Sequence, residues 1–352
     1  MIVDAKFPLK LTAKSYDNYL EQGYFRGASS LYRTELLSIG KKLSGVVNIR
    51  LPLSDFEFTK SQRKLIRTTE SKYRVTISKY THCLDKEHLY QLFKHKFKGF
   101  LYPTLNDFLY FDKSKVNIFN TQMVEIFDGK KLISFSLFDR TDNSIANLLA
   151  VYSYEYLKDS LGTYSLLKEI HFGLENNLKH AYPGYILSNN TEFNYKLRMG
   201  KMEYLDWLTG WSFDPTNEQS NNLVDLINNQ INVLSNALNV LNINHQVIYY
   251  PNFSLGYILP IPFLVKEPIY VRLLKHEYED QILFYDHKRN KYNLGLIGTL
   301  ETFTNHNQIE LSEEYKTFDD IDVDIKTCEI LSSTKPKPQN IINKLLSMNS
   351  TS

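Results

Sequence analysis

The 352-residue chain is 43% hydrophobic, 23% charged and 14% aromatic, which excludes a disordered or fibrous polymer and leaves room for two domains, each with its own core. Two cysteines, Cys83 and Cys328, exclude a disulfide framework and a cysteine-based metal site. No run approaches the ~18 apolar residues of a membrane helix, and the opening MIVDAKFPLKL has no apolar leader, so the expected location is the cytoplasm.

The net charge of +2 hides an asymmetry. Between Lys60 and Lys98 there are eleven Lys or Arg against three acids, and between Glu301 and Glu329 nine acids against two Lys. The basic zone suits a polyanionic partner or a solvated lysine-rich face, and the acidic zone a solvated surface or tail.

In chain order, residues 1–110 read as mixed and mostly helical. Asp85 is positioned to cap a helix with Leu89, Leu92, Phe93 and Phe97 on one face, ending near Gly99. Strand signals at 122–127 and 132–139 flank Asp128-Gly129, a hairpin turn, and a third strand is predicted over 145–154. An amphipathic helix follows over 163–178, then a short strand at 182–187 and a short helical stretch around 193–199. The strand–helix–strand unit predicts two parallel strands joined by a right-handed crossover beside the antiparallel hairpin. Residues 212–222 read as a linker. An Asn-rich helix to about 242 follows, with Leu223, Ile227, Leu234, Leu238 and Leu241 on one face. Four strand-like segments come next (247–251, 268–274, 281–286 and 292–298), and 331–352 reads as a frayed tail. The expected division is 1–110, a basic RNA-contacting region; 111–213, the catalytic core; 214–330, an α+β extension; and 331–352, the tail.

The junction Asp159-Ser160-Leu161-Gly162-Thr163-Tyr164 attracts attention because a helix N-terminus presents unpartnered N–H groups and partial positive charge. Ser160 or Thr163 is suited to cap it, and Gly162 permits close approach of a ligand. Such a junction suits anions, phosphate above all. The strand and helix order resembles that of acyltransferases of the GNAT type, in which this junction is the coenzyme A loop, and is shared by many other α/β folds. Asp159 and Tyr164 fit a pyrophosphate loop poorly.

Several segments in order resemble the aminoacyl-tRNA–protein transferases, the family of the eukaryotic arginyl-tRNA transferases and of bacterial leucyltransferases that act on N-terminal Asp or Glu. Ser61-Gln62-Arg63-Lys64 is similar to the family's Ser-Gln-Arg-Arg segment, and Leu89-Tyr90-x-x-Phe93-Lys94 to its Leu-Tyr-x-x-Tyr helix. The stretch 132–146, with Phe138-Asp139 and Ser144, resembles its central hairpin. Ser160–Tyr164, Tyr182-Pro183-Gly184-Tyr185-Ile186 and Tyr195-Lys196 resemble its Ser-Leu-Gly-Thr-Tyr, Leu-Gly-Tyr-x-Ile and Tyr-Lys elements. The resemblance spans about residues 20–211. The family's early Cys-x-x-Cys feature is missing from 27–39, so its metal-linked property does not carry over.

The resemblance implies a GNAT-like mixed sheet with flanking helices and a C-terminal α+β extension. It implies transfer of Arg or Leu from aminoacyl-tRNA to a protein's N-terminal α-amino group, with Asp or Glu first in the acceptor, as in N-degron tagging. The chemistry is aminolysis of an activated ester and needs neither cofactor nor metal. The donor end is expected on Ser160, Leu161, Gly162, Thr163, Tyr164 and Tyr185. Lys196, Arg198 and Arg63 are the candidates for the acceptor carboxylate. Lys60, Arg63, Lys64, Arg67, Lys94, Lys96 and Lys98 would meet tRNA phosphates. Asp139 and Tyr152 are the candidates for handling the amine's proton; a capped hairpin end and a core tyrosine are their structural alternatives. Two other functions fit the same fold: an acyl-CoA N-acyltransferase, and a non-catalytic protein that binds RNA or a protein partner.

Overall fold

The computed structural model describes residues 3–39, 41–97, 101–110, 118–188, 191, 193–214, 218–259, 261–274, 280–300, 320–322 and 324–349, with backbone alone for 218–222. In chain order the first half contains β1 (Val3–Lys6), α1 (Ala13–Glu21), β2 (Phe25–Gly27), β3 (Ser30–Thr34), β4 (Leu36–Ile39), β5 (Lys42–Pro52), α2 (Lys60–Lys72), β6 (Arg74–Lys79), α3 (Leu84–Lys94) and α4 (Leu105–Leu109). The middle continues with β7 (Thr121–Asp128), β8 (Lys131–Arg140), β9 (Ser144–Tyr152), α5 (Leu161–Glu175), β10 (His180–Leu187), β11 (Glu203–Asp206) and β12 (Gly210–Ser212). Two compact units result: residues 5–33 with 47–217, and residues 1–4, 34–46 and 218–352.

The first of these units is built on a mixed sheet in the order β12-β11-β5-β10-β9-β8-β7-β6. Asp128-Gly129 closes the β7–β8 hairpin as its sequence requires, with Gly129 at φ 57° and Asp128 paired to Lys131. β9 runs antiparallel to β8, and β10 lies parallel to β9 after the α5 crossover. This is the order expected from the sequence. Two strands from before residue 110, β5 and β6, are part of the same sheet. Apolar β5 (KLSGVVNIRLP) is buried over nearly its whole length, the signature of a strand covered on both faces.

Alternation along β7 divides the core. Val124 and Ile126 pack with α5 and with Leu65 and Ile66 of α2, while Met123 packs with Leu89, Tyr90 and Phe93 of α3. Adjacent strand residues point to opposite faces, so α2 and α3 cover opposite faces of the sheet. The α3 helix departs from expectation in two ways. Cys83 is its N-cap and makes no side-chain capping bond, Asp85 sitting inside the first turn, and Leu92 and Phe97 are exposed where they were expected to share the buried face.

The other unit is a helix-backed antiparallel sheet: α6 (Glu218–Val240), β13 (His245–Tyr249), α7 (Leu255–Ile258), β14 (Ile269–Leu273), β15 (Gln281–Asp286), β16 (Lys291–Thr299), β17 (Lys326–Thr334) and α8 (Pro338–Asn349). The α6 face carrying Ile227, Leu234 and Leu238 is buried as predicted; Leu241 is exposed. Residues 331–349, expected as a frayed tail, instead complete β17 and form α8, whose Ile341, Ile342 and Leu345 are fully buried. Most of the acidic zone (301–319) lies outside the described residues.

Candidate functional site

A notch opens where β9 and β10 part. Their register holds for three pairs, His180↔Ser144, Ala181↔Ile145 and Tyr182↔Ala146, and both strands then run on unpaired to each other. The sequence explains the break. Pro183 has no N–H to donate to the ladder, and Gly184 adopts φ 98°, a conformation L-residues avoid.

Gly184 also makes room for a cation. A Cβ there would come 3.2 Å from Nζ of Lys196. Lys196 belongs to the 3-10 turn Asn194–Met199 and is only 8% exposed. Its ammonium donates to the Tyr185 carbonyl at 3.1 Å and lies 5.3 Å and 5.0 Å from the ring centroids of Tyr185 and Phe193. Among the described residues no carboxylate pairs with it, and burial pulls its pKa down to about 8. A buried, unpaired ammonium is costly unless an anion arrives to share it.

The α5 N-terminus is open. Ser160 sits at φ 53°, ψ 40° and makes no capping bond, so neither it nor Thr163 fills the capping role expected of it. Gly162 faces Tyr152: a Cβ would stand 3.1 Å from its Cε1. Tyr152 is half-buried and packs edge-on to Phe93 at 5.1 Å, and burial raises its pKa, which makes it a poor proton acceptor. Leu161 and Tyr164, expected at the donor site, turn their side chains into the core; the Tyr164 hydroxyl donates to Glu70 Oε1 at 3.0 Å. Only their backbones are left to serve a donor. Asp159 is paired to Lys72 at 2.8 Å and accepts from the Tyr73 hydroxyl at 3.2 Å. The objections that Asp159 and Tyr164 raise against a phosphate loop are thereby removed.

Asp139 has a different job from the one anticipated. It is fully buried and accepts from Arg26 Nη1 at 2.9 Å, Thr121 Oγ1 at 2.7 Å and the Tyr16 hydroxyl at 3.2 Å. Arg26 also donates to the carbonyls of Ala28 and Leu109 and lies 4.0 Å over Phe119. This saturated ion pair locks β8 to the strands and helices around it and holds no free base.

The basic zone does not form one surface. Lys60, Arg63, Lys64 and Arg67 are exposed along α2, with Arg63 donating to the Phe58 carbonyl. Lys94 and Lys96 belong to the α3 side, where Lys96 lies 5.2 Å from the Tyr154 ring centroid; Lys98 is outside the described residues. Lys86 is buried against Glu125 at 2.9 Å. Arg198 is exposed, and its carbonyl, with that of Met199, accepts from Gln62 Nε2 at 3.0 Å. Gln62 thus ties the start of α2 to the turn that bears Lys196.

Two residues at the site escaped sequence reading. Glu169 is fully buried on the sheet-facing side of α5, and Asn147 Nδ2 donates to its carboxyl oxygens at 3.0 and 3.2 Å. Burial lifts its pKa to about 8, so it is largely neutral at pH 7. Asn147 is the first β9 residue beyond the last β10 pair. A signal existed: Glu169 lies between Leu166 and Ile170 on the apolar stripe of α5, where an acid is out of place.

Residues 71–206 match the family model described as "Arginine-tRNA-protein transferase, C terminus". Over this segment the chain is similar to the arginine-tRNA-protein transferases. The match takes in the notch, the α5 junction and Lys196. Among similar curated proteins is an aspartate/glutamate leucyltransferase of Leptospira interrogans, 24% identical over 196 residues, covering 54% of this chain and 74% of the relative. The enzymes of the same name from Vibrio vulnificus (25% over 196 residues; 55% and 81%) and Helicobacter hepaticus (26% over 200 residues; 55% and 80%) are also similar. Among solved structures, L-PGS from Bacillus licheniformis is 14% identical with a TM-score of 0.30, covering 51% of this chain and 53% of that one. A tandem GNAT protein from the clavulanic acid biosynthesis pathway is 9% identical with a TM-score of 0.32, covering 47% and 50%. The chain spans about half the length of these two solved chains. Among the described residues no helix is long and apolar enough to cross a membrane.

Proposed function

We propose that this protein transfers an amino acid from aminoacyl-tRNA to the α-amino group of an acceptor protein whose first residue is Asp or Glu. The observation that carries the reading is Lys196, a buried ammonium without a carboxylate partner among the described residues, set in the notch of a transferase-family core. An acidic first side chain supplies the missing anion, and the relatives are named for Asp and Glu.

The chemistry balances with the chain's own groups. The acceptor's amine lone pair attacks the ester carbonyl carbon of the charged tRNA, giving a tetrahedral oxyanion. The uncapped N–H groups at the start of α5 are the donors suited to that oxyanion or to a terminal phosphate. The C–O bond to the ribose then breaks, the amide bond remains, and the amine's proton leaves to the ribose oxygen through solvent. A free α-amino group has a pKa of ~8, so on the order of a tenth is neutral near pH 7 and positioning is the main task. Asn147, oriented by neutral Glu169, is the polar group we assign to hold the amine. The exposed Lys60, Lys64 and Arg67 face of α2 supports binding of tRNA phosphates.

The test uses purified protein, tRNA charged with labelled Arg or Leu, and peptides beginning Asp, Glu or Ala. Label entering the acidic-start peptides alone is the expected result, and whichever amino acid transfers names the donor. Equal labelling of the Ala-start peptide would remove the role given to Lys196. Asp159 is ion-paired with Lys72 and Tyr164 is buried, which leaves the loop open to an acyl-CoA donor as well, so acetyl-CoA belongs in the same assay.

A further inference from the structure

Twenty-five tyrosines and twenty-one phenylalanines leave the sequence without a distinguishable stacking residue; the structure picks one out. Phe58, Arg63, Ile66, Arg67, Glu70 and His171 line a cavity of about 390 Å³ between α2 and α5, a volume in the range of small-ligand sites. None of these side chains touches the reacting groups above, although Arg67 shares the α2 face given to tRNA phosphates.

The cavity has two chemically distinct halves. Phe58 and Ile66 are partly buried apolar groups, and the His171 ring meets Phe58 edge-on at 5.9 Å. Arg63 and Arg67 are exposed on the same turn-spaced face of α2, and Arg67 has no ion-pair partner among the described residues. The acid in the lining is already satisfied: Glu70 Oε1 accepts from Lys168 Nζ at 2.8 Å and from the Tyr164 hydroxyl at 3.0 Å. An inorganic anion has no use for the apolar half, and an apolar peptide has no use for two guanidiniums. A planar base carrying a phosphate uses both.

We propose that this cavity takes one unpaired nucleotide of an RNA, its base against Phe58, Ile66 and His171 and its phosphate on Arg63 and Arg67. The inference rests on the reading of an RNA donor and adds a site to it. Lys60 and Lys64 extend the same exposed face of α2, and the other end of that helix reaches Lys72, which pairs with Asp159 beside the α5 N-terminus. At 1.5 Å per residue, Arg67 in the cavity lining stands ~8 Å along α2 from Lys72, so the cavity lies within two helical turns of the transfer site.

The test is a titration of the full-length protein with AMP, adenosine and inorganic phosphate, followed by competition with an RNA hairpin carrying a single-stranded 3′ tail. It needs neither charged tRNA nor an acceptor, so it reads the cavity even if transfer fails. AMP is expected to bind at least tenfold more tightly than phosphate or adenosine. Phe58→Leu should weaken AMP about tenfold, the size of a lost base–aromatic stack, and Arg67→Ala should weaken it without altering the melt. The hairpin should displace AMP, and an abasic nucleotide at one tail position should abolish displacement. Equal binding of AMP and phosphate, or indifference to both substitutions, would overturn the site. AMP binding that RNA does not displace would overturn the RNA assignment. Phe58 packs against Phe56 at 5.0 Å, so if Phe58→Leu melts early, Arg67→Ala decides.

Discussion

Replacing Lys196 by Met should make the protein more stable and a poorer enzyme for acidic acceptors. Burial lowers the Lys196 pKa from 10.5 to about 8, a penalty of ~3 kcal/mol for carrying the charge at neutral pH. Because the folded-state pKa is depressed, the unfolded chain binds the proton more tightly between pH 8 and 10.5. The penalty is therefore full below pH 8 and fades as pH rises through that window. Methionine of similar length removes it and forfeits one hydrogen bond to the Tyr185 carbonyl and two ring contacts, together ~1–2 kcal/mol. The net gain is ~1–2 kcal/mol, a Tm about 2–5 °C higher at pH 7 for this unit. In the transfer assay the variant loses a charge-assisted bond worth ~1.5–3 kcal/mol. KM for Asp-start peptides should therefore rise at least tenfold, while Ala-start peptides are unaffected. A variant that melts at or below the wild-type temperature would refute the energetic argument. A stabilised variant with unchanged KM would refute the functional one.

Glu169 provides a pH test of the opposite sign: its folded pKa of about 8 lies above the unfolded 4.5, so stability is fully present below about pH 4.5 and is lost as pH rises toward 8. Wild-type protein should lose on the order of 4 kcal/mol across that window, and Glu169→Gln should flatten the profile, both read from urea midpoints at pH 5 and pH 8. Gly162→Ala should change stability by less than ~1 kcal/mol, since helix propensity gained offsets the 3.1 Å approach to Tyr152; Gly162→Trp should keep the helical circular dichroism and lose transfer, and an active Trp variant would remove the α5 junction from the site. Alanine at Lys60 or Lys64 should lower the slope of log K for tRNA against log salt by about one each, whereas Lys96→Ala, on the opposite face of the sheet, should leave it unchanged.

The elements nearest the site were the most legible in the sequence, because local chemistry encodes them. Asp128-Gly129 announces a hairpin on its own, and the α5 stripe announces a helix and hence a parallel crossover. Legibility failed where non-local pairing decides. β5 became an inner strand because β10 and β11 flank it, which no local pattern in KLSGVVNIRLP states. The α8 segment reads as a tail because Lys335–Gln339 has the composition of a Pro-rich linker, whereas Ile341, Ile342 and Leu345 find a core to enter. The site divides in the same way. Gly162 and Lys196 are named by the sequence as candidates, and the structure sets Lys196 against Gly184 and Gly162 against Tyr152. The sequence could not tell that Asp139 is consumed by Arg26 or that Tyr164 turns toward Glu70, because those partners lie more than ninety residues away. The charge run between Lys60 and Lys98 was a true count and a misleading surface, since the sheet separates α2 from α3.

The most direct test of the account is the fate of the label when two donors compete: the protein is given aminoacyl-tRNA carrying labelled Arg or Leu, unlabelled acetyl-CoA and an Asp-start peptide, and the product's N-terminus is identified by mass spectrometry. The account predicts the labelled amino acid as the new first residue and no acetyl group. An acetylated peptide, or a peptide that stays unmodified while the protein binds charged and uncharged tRNA alike, would contradict it.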